Sequence, residues 1–378
     1  MFGFLTIYMV VYGGANLMFV LKARAAFQPG LYLGSLIGFW CTLMVVGPML
    51  VHTLEGKGHE GAATAMAYTG YTWMGLMLVF LTVALLFDTY WLLAYLARAL
   101  NIGGISALSA RAAFFIPAIT AALINAYGFH EAWDIKLKHV EVPTSKITVP
   151  KLRVVQISDV HLGLMVGPRK LAKIAALVRE ADPDVLVCTG DLVDGTTNDI
   201  SGMMPALAAM TARYGKFAIT GNHEMYAGIE NSIRFTEGGG FRMLRDEVAV
   251  IPNAGLSVIG EDYRRAGWDM IPKPKKPFSE TELYGSAPKD GFRLLLKHVP
   301  IIDDAVVGKF DLQLSGHTHA GQIFPFYIPV RMVFKYIAGL YDLGKGSMLY
   351  TSRGTGTWGP TVRFLSPPEV TVIDLVRK

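Results

Sequence analysis

The chain has 378 residues, with 35 Lys and Arg, 30 Asp and Glu, and a net charge of +5, so two structural units are the starting expectation. No long arginine or lysine block is present, which argues against a nucleic-acid groove and is compatible with an anionic membrane surface. The two cysteines, Cys41 in an apolar run and Cys188 in an expected buried strand, are too few and too badly placed for a disulfide framework.

Charge is distributed unevenly. Residues 1–128 hold only eight charged side chains, among them Lys22, Lys57, Asp88 and Arg111. Four apolar stretches, at 2–21, 31–54, 71–96 and 105–129, each approach the roughly 20 helical residues that cross a hydrocarbon core. A signal peptide is the alternative for the first, but no basic segment precedes it, and three spans would remain. Asp88 and Arg111 within spans are expected as an interhelical pair or as groups near an interface. Trp40, Tyr71, Trp73, Tyr90 and Trp91 are expected near span ends as an aromatic belt. This gives a membrane domain over 1–129.

From 130 to 150 the chain turns mixed and polar, punctuated by Pro143 and Pro150, and reads as a linker running into an edge strand. Beyond it, short apolar runs alternate with helical patterns. Strands are expected at 152–157, 185–188 and 217–219, with helices at 170–180 and 203–213 between them. Further strands are expected at 248–251, 256–259, 292–296, 312–314, 348–351 and 370–375. Strands so spaced, with helices between, predict an α/β domain over 151–378 with buried sheets.

Metal-ligand residue types follow these strands directly: Asp159-Val160-His161, Gly190-Asp191, Gly221-Asn222-His223-Glu224, Lys297-His298-Val299-Pro300 and Ser315-Gly316-His317-Thr318-His319. The ends of the strands are where an α/β sheet presents its functional groups. All five histidines of residues 151–378 lie in these segments. Singly, Asp159 could be a cap, Asn222 a turn residue and His298 a satisfied strand-end histidine. Five strand ends finishing this way by accident is a poor explanation. If the Asp159-x-His161 and His317-x-His319 segments are extended, each pair faces one side. Carboxylate, imidazole and amide oxygen without thiolate suit manganese, iron or zinc. Asp159, His161, Asp191, Asn222, His298, His317 and His319 are too many ligands for one tetrahedral ion and suggest two ions sharing a carboxylate.

In order and spacing these five segments resemble the signature motifs of the calcineurin-like metallophosphoesterase superfamily, over about residues 151–378. The tail from Tyr350 through Ser352-Arg353-Gly354 to Pro368-Glu369-Val370 resembles its membrane-anchored bacterial branch. The resemblance implies an αββα sandwich. It also implies one metal on Asp159, His161, Asp191 and His319, a second on Asp191, Asn222, His298 and His317, and Asp191 as the bridge. His223 would be the proton donor to the leaving oxygen. Asp194 and Glu224 read as supporting partners or caps.

The expectation is therefore a membrane-anchored, two-metal hydrolase of phosphate mono- or diesters. The alternative is a membrane transporter or sensor whose soluble part only binds metal. The segment at 323–341, IFPFYIPVRMVFKYIAGLY, carries Phe324, Phe326, Tyr327, Arg331, Phe334 and Lys335. It reads either as core packing or as a greasy, weakly basic rim admitting a lipid-linked substrate. Lys22, Arg24, Arg98 and Arg111 in the first and third loops and their flanking span ends, against Lys57 in the second, are expected to put both termini and the catalytic domain on the periplasmic or extracellular side of a bacterial membrane.

Overall fold

A computed structural model describes residues 2–102, 109–195, 200–263 and 279–378. The chain divides into a unit of Met1–His130 with Gly359–Phe364, and a second of Glu131–Trp358 with Leu365–Lys378.

The first unit is helical: α1 (Phe2–Tyr8), a π turn (Met9–Gly13), α2 (Gly14–Phe27), α3 (Leu31–Gly56), α4 (Glu60–Ala99) and α5 (Ala110–Trp133). Four helical segments, Leu5–Phe27, Leu31–Gly56, Glu60–Ala99 and Ala110–Trp133, are long and apolar enough to cross a membrane. The helix before Pro29 stops at Gln28, whose backbone is left-handed, as a helix end with a following proline requires. Large apolar side chains such as Leu31, Phe39, Leu86 and Leu123 face outward, while Ala63, Ala67 and Ala84 are fully buried. That inversion is compatible with helices packed in lipid, where small residues let backbones approach. At Gly47 a β-carbon would stand 2.7 Å from the Met66 methyl carbon.

Two polar contacts join helices of this unit. Lys22 Nζ donates to Asp88 Oδ1 at 2.5 Å, and Trp73 Nε1 donates to Asn16 Oδ1 at 2.8 Å. Arg111 lies exposed in the first turn of α5. Two sequence expectations change. The helix that carries the third apolar stretch begins at Glu60 rather than 71, because the alanines of 60–70 continue the helix without forming a strongly apolar run. Tyr71 and Trp73 consequently sit well inside α4 rather than at its start. The expected start of the fourth span at 105 lies outside the described residues.

The second unit opens with β1 (Lys136–Thr144) and β2 (Lys151–Ile157), then α6 (Pro168–Ala181), β3 (Val185–Cys188), α7 (Met204–Ala208) and β4 (Lys216–Ala218). α8 (Asn222–Ala227), α9 (Ile229–Gly238), β5 (Arg242–Met243), β6 (Glu247–Ile251) and β7 (Leu256–Gly260) follow. The remainder is α10 (Glu280–Gly285), β8 (Phe292–Leu296), β9 (Leu312–Ser315), α11 (Tyr327–Val333), β10 (Gly339–Gly344), β11 (Ser347–Thr351) and β12 (Glu369–Arg377). They build two six-stranded sheets, ordered β1-β12-β2-β3-β4-β5 and β10-β11-β9-β8-β7-β6. In the middle of each sheet the strands β2-β3-β4 and β7-β8-β9-β11 run parallel.

Alternation along each strand decides which core it feeds. Val154, Val185 and Val187 face Leu256, Leu294, Leu312 and Leu314 of the other sheet. Val155, Ile157, Leu186 and Cys188 instead meet Leu171, Ile174 and Val178 of α6, with Leu207 and Phe235 beyond. On the far side Ile259 and Leu295 pack on Tyr284 and Phe310. The unit is thus a helix–sheet–sheet–helix sandwich, and strands covered on both faces read as continuous apolar runs.

The helix expected over 203–213 is confined to Met204–Ala208 after a short 3-10 turn. Backbone N–H groups of Arg213 and Tyr214 donate to the carbonyls of Pro183 and Asp184, so tertiary pairing displaces the helical bonds there. The chain over 136–144 pairs parallel with β12 as an edge strand, and exposed Lys136, Lys138 and Glu141 keep that edge from pairing further.

Candidate metal centre

The seven expected ligands come from five loops, each at the C-terminal end of a parallel strand: β2, β3 and β4 of one sheet, β8 and β9 of the other. The fold brings all seven together. His161 Nε2 lies 3.1 Å from His319 Nε2, and Asp159 Oδ1 lies 3.5 Å from the same His319 nitrogen. A second cluster joins His298 Nε2 to Asn222 Oδ1 at 3.2 Å and His317 Nδ1 to Asn222 Oδ1 at 2.9 Å. Between the clusters stands Asp191, whose Oδ2 is 3.2 Å from His298 Nε2 and 3.9 Å from His161 Nε2. Among the described residues, three groups could hold an ion by proximity: Asp159, His161 and His319; Asp191, His298 and His317; and His161, Asp194 and His223.

Burial sharpens the electrostatics. Asp159 is fully buried and Asp191, His161 and His298 are 2% exposed. A carboxylate taken out of water needs a compensating positive charge. Burial alone would suppress charge on His298, but Asp191 outweighs it and raises that imidazole to about 10. Asp191 itself, despite burial, is held well below the usual carboxylate range by His298. Burial lowers His161 to about 4 and His317 to about 3, which leaves both as neutral nitrogen donors. Burial also raises Asp159 to about 6. Facing ring nitrogens 3.1–3.2 Å apart, beside buried carboxylates, fit divalent cations held by nitrogen and oxygen without thiolate.

The backbone that achieves this differs from the expected extended alternation. Asp159, His161, Asp191, His317 and His319 have φ of 52°, 56°, 52°, 71° and 48°. Left-handed backbone costs an L residue roughly 1–2 kcal/mol. Both pairs are therefore aimed at the pocket by tight left-handed loops, not by strand pleating. Gly316 shows how close the loops run: a β-carbon there would sit 2.1 Å from Asp159 Oδ2 and 2.0 Å from Ser158 Oγ.

Behind the donors lies a layer that orients them. Gln156 Nε2 donates to Thr189 Oγ1 (2.8 Å), that hydroxyl to Ser158 Oγ (2.7 Å), and Ser158 Oγ to Asp159 Oδ2 (2.5 Å). His298 Nδ1 is held by the Thr189 carbonyl at 2.8 Å. The buried Glu224 carboxylate accepts from the backbone N–H groups of Gly221, Asp191, Leu192 and Val193 at 2.6–3.3 Å, clamping the loops after β3 and β4 together. The return segment then passes the site: Thr355 and Gly356 N–H groups donate to the carbonyls of Ser158 and Asp159, and Ser366 Oγ donates to that of His319 at 2.7 Å. Gln156, Thr189 and the return segment escape sequence reasoning, since their partners are far away in the chain.

His223 is the second residue of α8, where its backbone N–H donates to Asp191 Oδ1 at 2.9 Å and its Nδ1 lies 2.9 Å from Asp194 Oδ1. Burial opposes charge on this ring, but Asp191 and Asp194 outweigh it and raise it to about 9. Its ring centroid is 4.5 Å from that of His161.

Of the segment 323–341, Ile323 and Ile337 are buried, whereas Phe324, Phe326 and Tyr327 are 43%, 42% and 40% exposed. Phe334 lies edge-on to His317 with centroids 5.3 Å apart. Arg331 closes the end of α11, its Nη1 donating to the Lys335 carbonyl at 2.8 Å. Lys335 stands over the Tyr336 ring. Ile323 and Ile337 belong to the core, and the stretch between them lies mostly at the surface.

Sandwich and donor set together define a metal-dependent phosphoester hydrolase. Residues 152–321 match the profile of the calcineurin-like phosphoesterases. An uncharacterized metallophosphoesterase of Aquifex aeolicus is 33% identical over 265 residues, 68% of this chain and 98% of that protein. A Campylobacter jejuni metallophosphoesterase is 33% identical over 65% of this chain, and a zebrafish transmembrane protein with metallophosphoesterase domain 32% identical over 68%. The matches span 64% and 61% of those two relatives. The chain belongs to the calcineurin-like phosphoesterase family, with relatives in animals as well as bacteria.

Proposed function

We propose that this protein hydrolyses phosphate esters at a two-ion centre in which Asp159, His161, Asp191 and His319 hold one divalent cation and Asp191, Asn222, His298 and His317 the other. The observation that carries this reading is the position of Asp191 Oδ2 between His161 and His298, which suits a shared carboxylate. Manganese, iron and zinc match the donor chemistry. When bound, such ions lower the pKa of a water and offset charge on the phosphoryl oxygens.

The remaining work falls to the chain. With Nδ1 held by Asp194, His223 turns Nε2 to the substrate and protonates the leaving oxygen. Asp194 orients the ring and favours its charged form. In Asp159→Asn, bound metal and activity are expected to fall together. His223→Ala should keep its metal while turnover drops about 10²–10⁴-fold, most for poor leaving groups. Metal loss in His223→Ala as complete as in Asp159→Asn, read by elemental analysis, would contradict the assignment.

The four apolar helices anchor the enzyme in a membrane, and tethering raises its effective concentration only toward substrates of that bilayer. With Phe324, Phe326 and Tyr327 exposed on the segment that reaches Phe334 beside His317, a lipid phosphoester or lipid-linked pyrophosphate is the favoured substrate over a soluble nucleotide. Arg331 and Lys335 would meet its headgroup, and the aromatic rings the acyl boundary. Serine at 324, 326, 327 and 334 should reduce hydrolysis of a phospholipid ester in mixed micelles and spare p-nitrophenyl phosphate. An equal effect on both substrates would remove the segment from substrate recognition.

The basic residues near the first and third inter-span loops place those loops in the cytoplasm and the catalytic unit on the periplasmic or extracellular face of a bacterial cytoplasmic membrane. Protease added to intact spheroplasts should then digest the C-terminal unit. Digestion only after lysis would reverse the orientation.

A further inference from the structure

Two large rings stay half-exposed beside His223: Tyr226 at 50% and Trp358 at 49%. Their centroids lie 5.3 Å and 6.0 Å from that of the imidazole, at interplanar angles of 75° and 72°. Tyr226 follows His223 by three residues on α8, and so shares its helix face. Trp358 arrives from the return segment, and its backbone is held twice by one side chain. Gln322 Nε2 donates to the Trp358 carbonyl at 2.9 Å, while the Trp358 N–H donates to Gln322 Oε1 at 2.9 Å. Gln322 is buried, its backbone is left-handed at φ 53°, and it stands three residues beyond His319. The loop that supplies His317 and His319 therefore also fixes where the indole is presented.

Neither ring belongs to the apolar cores of the sandwich. A tryptophan presented half to solvent on a preset backbone is unfavourable for folding alone, but it is what an aromatic platform requires, since little rotamer freedom is left to lose on binding. Location names the part of the substrate involved. In the hydrolysis proposed above, on which this inference rests, water oxygen bonds to phosphorus, the bond from phosphorus to the ester oxygen breaks, and the departing oxygen takes its proton from His223. Rings 5.3 and 6.0 Å from that imidazole are within reach of the group whose oxygen it protonates.

We infer that Tyr226 and Trp358 form a leaving-group subsite for a phosphoester whose departing alcohol carries a flat aromatic ring close to the ester oxygen, any lipid of the reading above staying with the retained phosphoryl group. The ring packs against the indole and phenol faces while His223 protonates the oxygen, and contacts that persist from bound substrate to transition state raise kcat/KM by lowering KM.

The test compares 2-naphthylmethyl and 2-methoxyethyl phosphates, as monoesters or as methyl diesters, whichever the manganese-loaded full-length protein hydrolyses. The two alcohols have similar acidity, so their intrinsic leaving ability is close. Release of each alcohol gives a ratio of kcat/KM, naphthylmethyl over methoxyethyl. The wild-type ratio should be well above one. Trp358→Ala and Tyr226→Ala should each lower it by about ten- to a hundredfold, and Trp358→Phe should restore most of it. General damage to the fold or the metal centre slows both substrates and leaves the ratio where it was. An unchanged ratio in both alanine variants therefore overturns the subsite while the hydrolase reading stands. A wild-type protein that binds its metal yet releases neither alcohol overturns the hydrolase reading, and the subsite with it.

Discussion

Two carboxylates, Asp159 and Asp191, are taken out of water at the ends of the parallel strands, and the catalytic unit is arranged around that cost. Isolated, each would carry a penalty of several kcal/mol. Four imidazoles and the Asn222 amide converge on them, and the histidine nearest Asp191 is driven toward its charged form. The pocket is suited to positive charge, and divalent cations would fit its nitrogen and oxygen donors. The two sheets carry this from opposite sides: one delivers Asp159, His161, Asp191 and Asn222, the other His298, His317 and His319.

Backbone strain is the second consequence. Five of the seven donors occupy left-handed conformations, which persist only where the surroundings over-determine them. The surroundings here are specific: Glu224 tying the loops after β3 and β4, the chain Gln156–Thr189–Ser158 pinning Asp159, and the return segment bonded to the carbonyls of Ser158, Asp159 and His319. Chemistry and rigidity therefore come from different residues, and the supporting residues are as deeply buried as those they position.

This division explains what could be seen in the sequence. Strands such as 185–188 and 292–296 were legible because both faces are buried and the apolar run is continuous. The site was legible because ligand-type residues follow those runs directly. The reason for their convergence was not: Asp159-x-His161 looks like alternation along a strand, yet it works through two left-handed turns. Gln156, Gln322 and Trp358 were invisible as site residues. Their partners lie 33 to 159 positions away for Gln156 and 36 for the Gln322–Trp358 pair, and no local pattern marks them. The helix over 203–213 failed for a related reason, since Arg213 and Tyr214 bond to the loop before β3. The extension of α4 back to Glu60 was hidden by small residues that are helical without being strongly apolar.

The central claim is that Asp191 is shared by two cations, and metal stoichiometry on the purified full-length protein tests it most directly. Manganese-loaded wild type should retain two ions per chain after desalting. Asn222→Ala should retain one, because the ligands of the other site are untouched. Asp191→Asn should lose more metal than Asn222→Ala and approach none, since a single change weakens both sites. Two ions retained by Asp191→Asn, or one ion in the wild type, would contradict the shared carboxylate.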